Sequence, residues 1–144
     1  MSRTRRRFRI LGAAFLPAVL LAGCQPNISI ELYNNAGDPL SVTWCKGPIN
    51  VAPGTTVELG SIYSCSNWVK VTGPTSSWRY HQVQAPGARY LHDDRWTLFN
   101  ATLTIRLQLN PDHRVFALPV GSTFPASENT PQTLPYPLSA EPEA

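Results

Sequence analysis

The sequence predicts an all-β domain, a small antiparallel β-sandwich or barrel of about seven to eight strands. Three observations predict it. Apolar residues recur at every second position in short runs, turn-forming clusters part the runs, and no stretch after residue 24 carries a helical period.

The elements follow in order. Ile28, Ile30 and Leu32 alternate with Ser29, Glu31 and Tyr33, a half-buried strand. Asn34-Asn35-Ala36-Gly37-Asp38-Pro39 is a turn, because Asn and Gly tolerate positive φ and Pro fixes its own. Leu40, Val42 and Trp44 alternate with Ser41, Thr43 and Cys45, so the first two strands read as a hairpin. A third strand spans 55–59 after the Pro53-Gly54 turn, with Val57 and Leu59 inward, and 61–67 is a loop containing Cys65. Residues 68–72 and 78–84 form two more strands, parted by Gly73-Pro74 and a Ser-Thr cluster. Residues 90–94 read as a loop and 95–99 as a strand. The clearest element is 102–109, where Leu103, Ile105, Leu107 and Leu109 face one way and Thr102, Thr104, Arg106 and Gln108 the other. Asn110-Pro111-Asp112-His113 is a β-turn with Pro at its second position, and 114–118 returns as the partner strand.

From Pro119 the composition changes. Six prolines and three glutamates, with no Lys or Arg, fall in 119–144. Proline blocks ladder hydrogen bonding, so this part reads as a free acidic tail or, through Phe124, Leu134, Tyr136 and Leu138, as a strap over the domain. The expected organisation is thus 1–23, a leader; 24–118, the β domain; and 119–144, a Pro-rich acidic tail.

The leader is defined by its own residues. Arg3, Arg5, Arg6, Arg7 and Arg9 form a positive end, residues 10–21 an apolar run, and Leu21-Ala22-Gly23-Cys24 closes it with small residues before a cysteine. Residues 10–23 fall short of the roughly 20 needed to span a bilayer. The segment resembles a bacterial lipoprotein precursor. That resemblance implies cleavage between Gly23 and Cys24, and diacylglycerol and further acyl chains on the Cys24 thiol and new N-terminus, a stable membrane anchor. It also implies a cell-envelope location. Gln25 stands where an aspartate would resemble the inner-membrane retention signal of enteric lipoproteins, so the expected site is the outer membrane, facing the periplasm. Thr4-Arg5-Arg6-Arg7-Phe8 is similar to a twin-arginine pattern, although Arg9 departs from it, and both export routes stay open.

Five of the twelve basic residues precede Cys24 and all nine acidic ones follow it, leaving seven against nine, a net −2. That balance excludes a counterion-displacing nucleic-acid binder, and no nucleic acid is expected as partner. With one cysteine spent on lipid, Cys45 and Cys65 remain as an even pair. In an oxidising compartment they read as a disulfide.

Catalytic signals are sparse. There is no G-x-S-x-G and no S-x-x-K, and the only methionine, Met1, cannot complete a blue-copper site. His92-Asp93-Asp94 is the densest polar cluster and reads as a solvated loop, while His81 and His113 read as strand and turn polar residues. No catalytic residue, metal or cofactor is expected, and the chain reads as no enzyme. Among the aromatics, Trp44 and Trp96 have apolar row-mates and read as core. Trp78, with Tyr80 or Tyr90, is the candidate ligand-binding set, since exposed rings stack on sugar faces. The expected role is a membrane-anchored scaffold or accessory domain with an envelope protein as partner. The alternative is binding of peptidoglycan or another cell-wall glycan through those aromatics.

Overall fold

The computed structural model describes residues 27–45, 47–66, 68–81, 83–84, 87–97, 100–127, 130 and 132–143, with only the backbone of 64, 94–97, 100 and 101. Gly23 and Cys24 lie outside the described residues, as do Leu98 and Phe99, the end of the strand expected at 95–99.

Ten strands form two sheets, and no α-helix occurs among the described residues. They are β1 Asn27–Asn34, β2 Leu40–Trp44, β3 Gly47–Val51, β4 Thr56–Ser61, β5 Trp68–Thr72, β6 Ser77–His81, β7 Leu91–Thr97, β8 Asn100–Leu109, β9 Val115–Ala117 and β10 Glu141–Pro142. Sheet A runs β4-β1-β8-β7, with β9 also paired to β8. Sheet B runs β10-β6-β5-β2-β3. The rows read from the sequence meet between them: Ile28, Ile30, Leu32, Ile105, Leu107 and Leu109 from sheet A pack with Leu40, Val42, Trp44, Val69 and Val71 from sheet B.

Four expectations are corrected. The first two strands form no hairpin, because β1 lies in sheet A and β2 in sheet B, paired with β3 and β5. Sheet A is mixed, because β1 and β8 are parallel, with Ile30 opposite Ile105 and Leu32 opposite Leu107. A period of two fixes which face a residue occupies but not which strand lies beside it, and two aliphatic rows pair equally well in either sense. The strands number ten rather than seven or eight, and the sheets remain two rather than closing into a barrel. The stretch 90–94 is not a loop: after a 3-10 turn, Ala88–Tyr90, the chain enters β7 at Leu91. The unexpected strand β3 carries Pro48, which an outermost strand accepts because its missing N–H would face solvent.

The chain beyond residue 118 packs as a strap rather than hanging free. On the outer face of sheet A, Phe124 stacks on Tyr33 with centroids 4.8 Å apart. Gln108 there clamps Ala126, accepting from its N–H at 2.7 Å and donating to its carbonyl at 3.0 Å. Gln132 clamps Ala117 in the reverse sense, from strap to sheet, at 2.9 and 3.1 Å. Leu138 then exchanges two backbone hydrogen bonds with Val115. Tyr136 and Leu138 are buried in the core, and β10 pairs with β6. The strap therefore closes the seam between β9 of sheet A and β6 of sheet B. Prolines are compatible with this because the N–H groups that donate belong to the residues between them, among them Val120, Ala126, Leu138 and Glu143.

The opposite seam is closed covalently. Cys45 follows β2 of sheet B, Cys65 follows β4 of sheet A and the 3-10 turn Ile62–Ser64, and the two form a disulfide with Cα atoms 5.1 Å apart. Trp44 Nε1 donates to the Ser66 carbonyl at 2.7 Å beside it. At the other end of the body, fully buried Asn34 donates to the carbonyls of Asp38 and Val51, tying the turn after β1 to β3.

Candidate functional site

Trp78 sits where the turns after β1, β5 and β8 converge. Its register opposite Val71 places it on the inward row of β6 with Tyr80, which lies opposite Val69. Ser77, Arg79 and His81 take the outward row. The indole is the last ring of its row and is partly buried. His113 stacks on it, centroids 4.1 Å apart. Gly73 lies close to the ring, where a Cβ would come within 3.1 Å of two of its atoms, so glycine permits the approach. His113 holds this position with φ of 60°, in the left-handed region. Its carbonyl accepts from the Tyr80 hydroxyl at 2.9 Å. Trp78 lines a recess of about 260 Å³, shared with Asp38, Ser76, Pro111 and His113.

The other two rings of the expected set are not on the surface. Tyr80 is 1% and Tyr90 0% exposed. Burial, and then the Asp112 carboxylate, push the Tyr80 hydroxyl well above its usual range. Tyr90 lies under the strap, its hydroxyl 3.3 Å from Thr133 Oγ1. The three aromatics thus form no stacking platform. A period of two puts Trp78 and Tyr80 in one row, but it leaves open which row faces inward, and Ser76, Ser77 and Arg79 around Trp78 argue for solvent.

His92 and Asp93 point to opposite sides of β7. His92 is buried on the outer face of sheet A, beside the strap. Its Nε2 lies 2.9 Å from the Leu118 carbonyl, which can only accept, so Nε2 carries the proton. Nδ1 then accepts from Arg106 at 3.4 Å, and Arg106 also pairs with Glu31 at 3.2 Å. Both ring nitrogens are thus hydrogen-bonded within the fold. Asp93 is exposed on the other side, and the Asp94 side chain lies outside the described residues. Among the described residues, no three His, Cys, Asp or Glu side chains are grouped to hold a metal.

The outer face of sheet B carries what the sequence reading passed over. Because Val69 and Val71 face inward, Trp68 and Lys70 face outward, beside Arg79 and His81 on β6. The Arg79 guanidinium lies 4.8 Å from the Trp68 ring centroid. Glu143, at the end of the strap, pairs with Lys70 and, at 2.5 Å, with Arg79. Those bonds, Lys70 first, hold the Glu143 carboxyl below its usual range. Glu141 lies 3.3 Å from His81. An outward Trp beside two cations and two carboxylates can contact another macromolecule through flat aromatic area and directed charge.

The disulfide end is simpler. Cys45, Cys65 and the 3-10 turn between β4 and β5 form it, and Tyr63 projects there at 59% exposure. No family model matches the chain, and no curated protein or solved structure is significantly similar to it.

Proposed function

We propose that this chain is a membrane-anchored lipoprotein of the cell envelope, held at the outer membrane through Cys24. In this reading it is a small β-sandwich that acts as a non-enzymatic scaffold or accessory domain by contacting an envelope protein. One observation carries the reading: Leu21-Ala22-Gly23-Cys24 closes an arginine-led apolar run, and a two-sheet body begins only three residues later, at Asn27. The disulfide supports an oxidising compartment. The outer face of sheet B, with Trp68 and Arg79, supplies residue types that dominate protein contacts. Glycan binding through Trp78, Tyr80 and Tyr90 finds no support in the stacked or buried placement of those rings.

The test is isolation of C-terminally tagged protein from membranes after mild cross-linking, beside a Cys24→Ser form. The expected result is a defined protein partner that is lost or weakened without the lipid. A lipidated protein that is always monomeric and without partner would overturn the scaffold role while leaving the anchor standing.

A further inference from the structure

The tether length and the strand directions together decide which end of the body meets the membrane. Asn27 opens β1 opposite Thr102, near the start of β8. Thr97 and Asn100, where β7 passes into β8, pair at that same end. Ser61 lies opposite Ser29, and the chain then makes the 3-10 turn Ile62–Ser64. In sheet B, Trp44 pairs with Gly47 there, and Cys45–Cys65 binds the two sheets together. Every element that ends or turns beside Asn27 thus belongs to the disulfide end. The recess at Trp78 lies at the other end, with β8, ten residues long, spanning about 30 Å between them.

Three residue steps separate Cys24 from Asn27, a reach of at most about 11 Å. An acyl-bearing Cys24 sits at the boundary between acyl chains and headgroups, so Asn27 cannot leave the headgroup layer by more than that distance. The residues beside it suit the position. Cys45-Lys46-Gly47 and Tyr63-Ser64-Cys65-Ser66 carry one cation and no acidic group, and Tyr63 presents an exposed amphipathic ring of the kind that settles at headgroup depth.

We propose that the disulfide end is a lipid-contacting surface, with Tyr63 seated among the headgroups and the Trp78 end directed away from the bilayer. This rests on the anchor proposed above. It fixes the orientation of the body: the outer face of sheet B stands upright from the membrane, and a partner approaches it from the side.

The experiment is hydroxyl-radical footprinting of the full lipidated protein in vesicles of phosphatidylethanolamine and phosphatidylglycerol, against the Cys24→Ser protein in solution. Mass spectrometry of the N-terminal peptide first establishes whether Cys24 carries acyl chains. Oxidation of Tyr63 is expected to fall about threefold or more in vesicles, as for a ring at the depth of interfacial side chains. Leu134, 87% exposed on the flank, is expected to keep its labelling. A Gly-Ser spacer of about ten residues after Gln25, with a reach of roughly 35 Å, is expected to restore Tyr63 labelling. Acylated protein in which Tyr63 is labelled as strongly as in the Cys24→Ser form overturns the lipid contact alone. An N-terminal peptide without acyl mass overturns the anchor, and the contact with it.

Discussion

Replacing Leu138 by alanine tests whether the strap is part of the folded body. Leu138 is 5% exposed and packs into the core from the strap, while its backbone exchanges both hydrogen bonds with Val115. Alanine keeps those backbone bonds, so the substitution isolates the side chain. Losing a buried leucine side chain costs about 2–5 kcal/mol, the spread reflecting how far the site can collapse. A peripheral strap can move inward more readily than a central strand, which places the expected cost at about 2–3 kcal/mol. Against a typical total of about 5–15 kcal/mol that is a large fraction. For a domain of this length it corresponds to a fall in Tm of about 8–12 °C. Urea unfolding followed by tryptophan emission measures it. The midpoint is expected to fall with the slope unchanged, because the strap stays docked and the area exposed on unfolding stays the same. Hydrogen exchange at Val115 and Leu138 would quicken before the rest of the core. A change below about 0.5 kcal/mol, the range of ordinary surface substitutions, would refute the reasoning and make the segment a free tail.

Further outcomes follow from the same structure. Replacing Cys45 and Cys65 together by serine, or reducing them, removes a cross-link between residues 20 apart and is expected to cost about 3 kcal/mol by loop-closure entropy, read from the same urea midpoints. Gln108→Ala leaves the part-buried Ala126 N–H and carbonyl without their side-chain partner and is expected to cost about 1–3 kcal/mol. In acid, the lowered carboxyls of Glu143 and Asp112 contribute stability that is fully present above the ordinary carboxylate range and lost as pH falls through their own lower values. For Asp112, burial acts upward and the Arg114 hydrogen bonds and charge outweigh it. The amides of β10 are therefore expected to exchange faster below about pH 4. In alkali the sign reverses. Burial raises the hydroxyls of Tyr80 and Tyr136, so their contribution is complete below about pH 10 and lost above it. Tyrosinate absorbance is expected to show these two rings titrating only as the protein unfolds.

How much of this was legible depended on what each residue's pattern encodes. The rows Ile28-Ile30-Leu32, Leu40-Val42-Trp44 and Leu103-Ile105-Leu107-Leu109 announced β1, β2 and β8, because burial of one sheet face is written directly into a period of two. The parallel pairing of β1 and β8 was not written there, since side-chain alternation carries no information on chain direction. β3 was hidden by Gly47 and Pro48, and β7 by His92 and Asp93, residues that read as turn chemistry until Leu118 and Arg106 are seen to satisfy the imidazole. The strap was masked by proline content, which reports the local backbone and not the clamps made by Gln108 and Gln132 from elsewhere in the chain. At the candidate site, Cys45 and Cys65 were readable from an even count. The displacement of aromatic surface from Trp78 to Trp68 was not, because it turns on which of two neighbouring rows faces the second sheet.

The position of β1 has a consequence for how the chain comes into being. β1, the earliest of the described strands in the chain, lies in the middle of sheet A, between β4 and β8. Its partner side chains Ser29 and Thr104 are 75 residues apart. Synthesis therefore leaves one flank of β1 unsatisfied until β8 has arrived, and the strap that closes the seam between β9 and β6 comes after both. Assembly cannot proceed strand by strand in chain order; it waits for β8 and then closes around it. A nascent chain halted before residue 100 would present one edge of β1 unpaired, an aggregation-prone state.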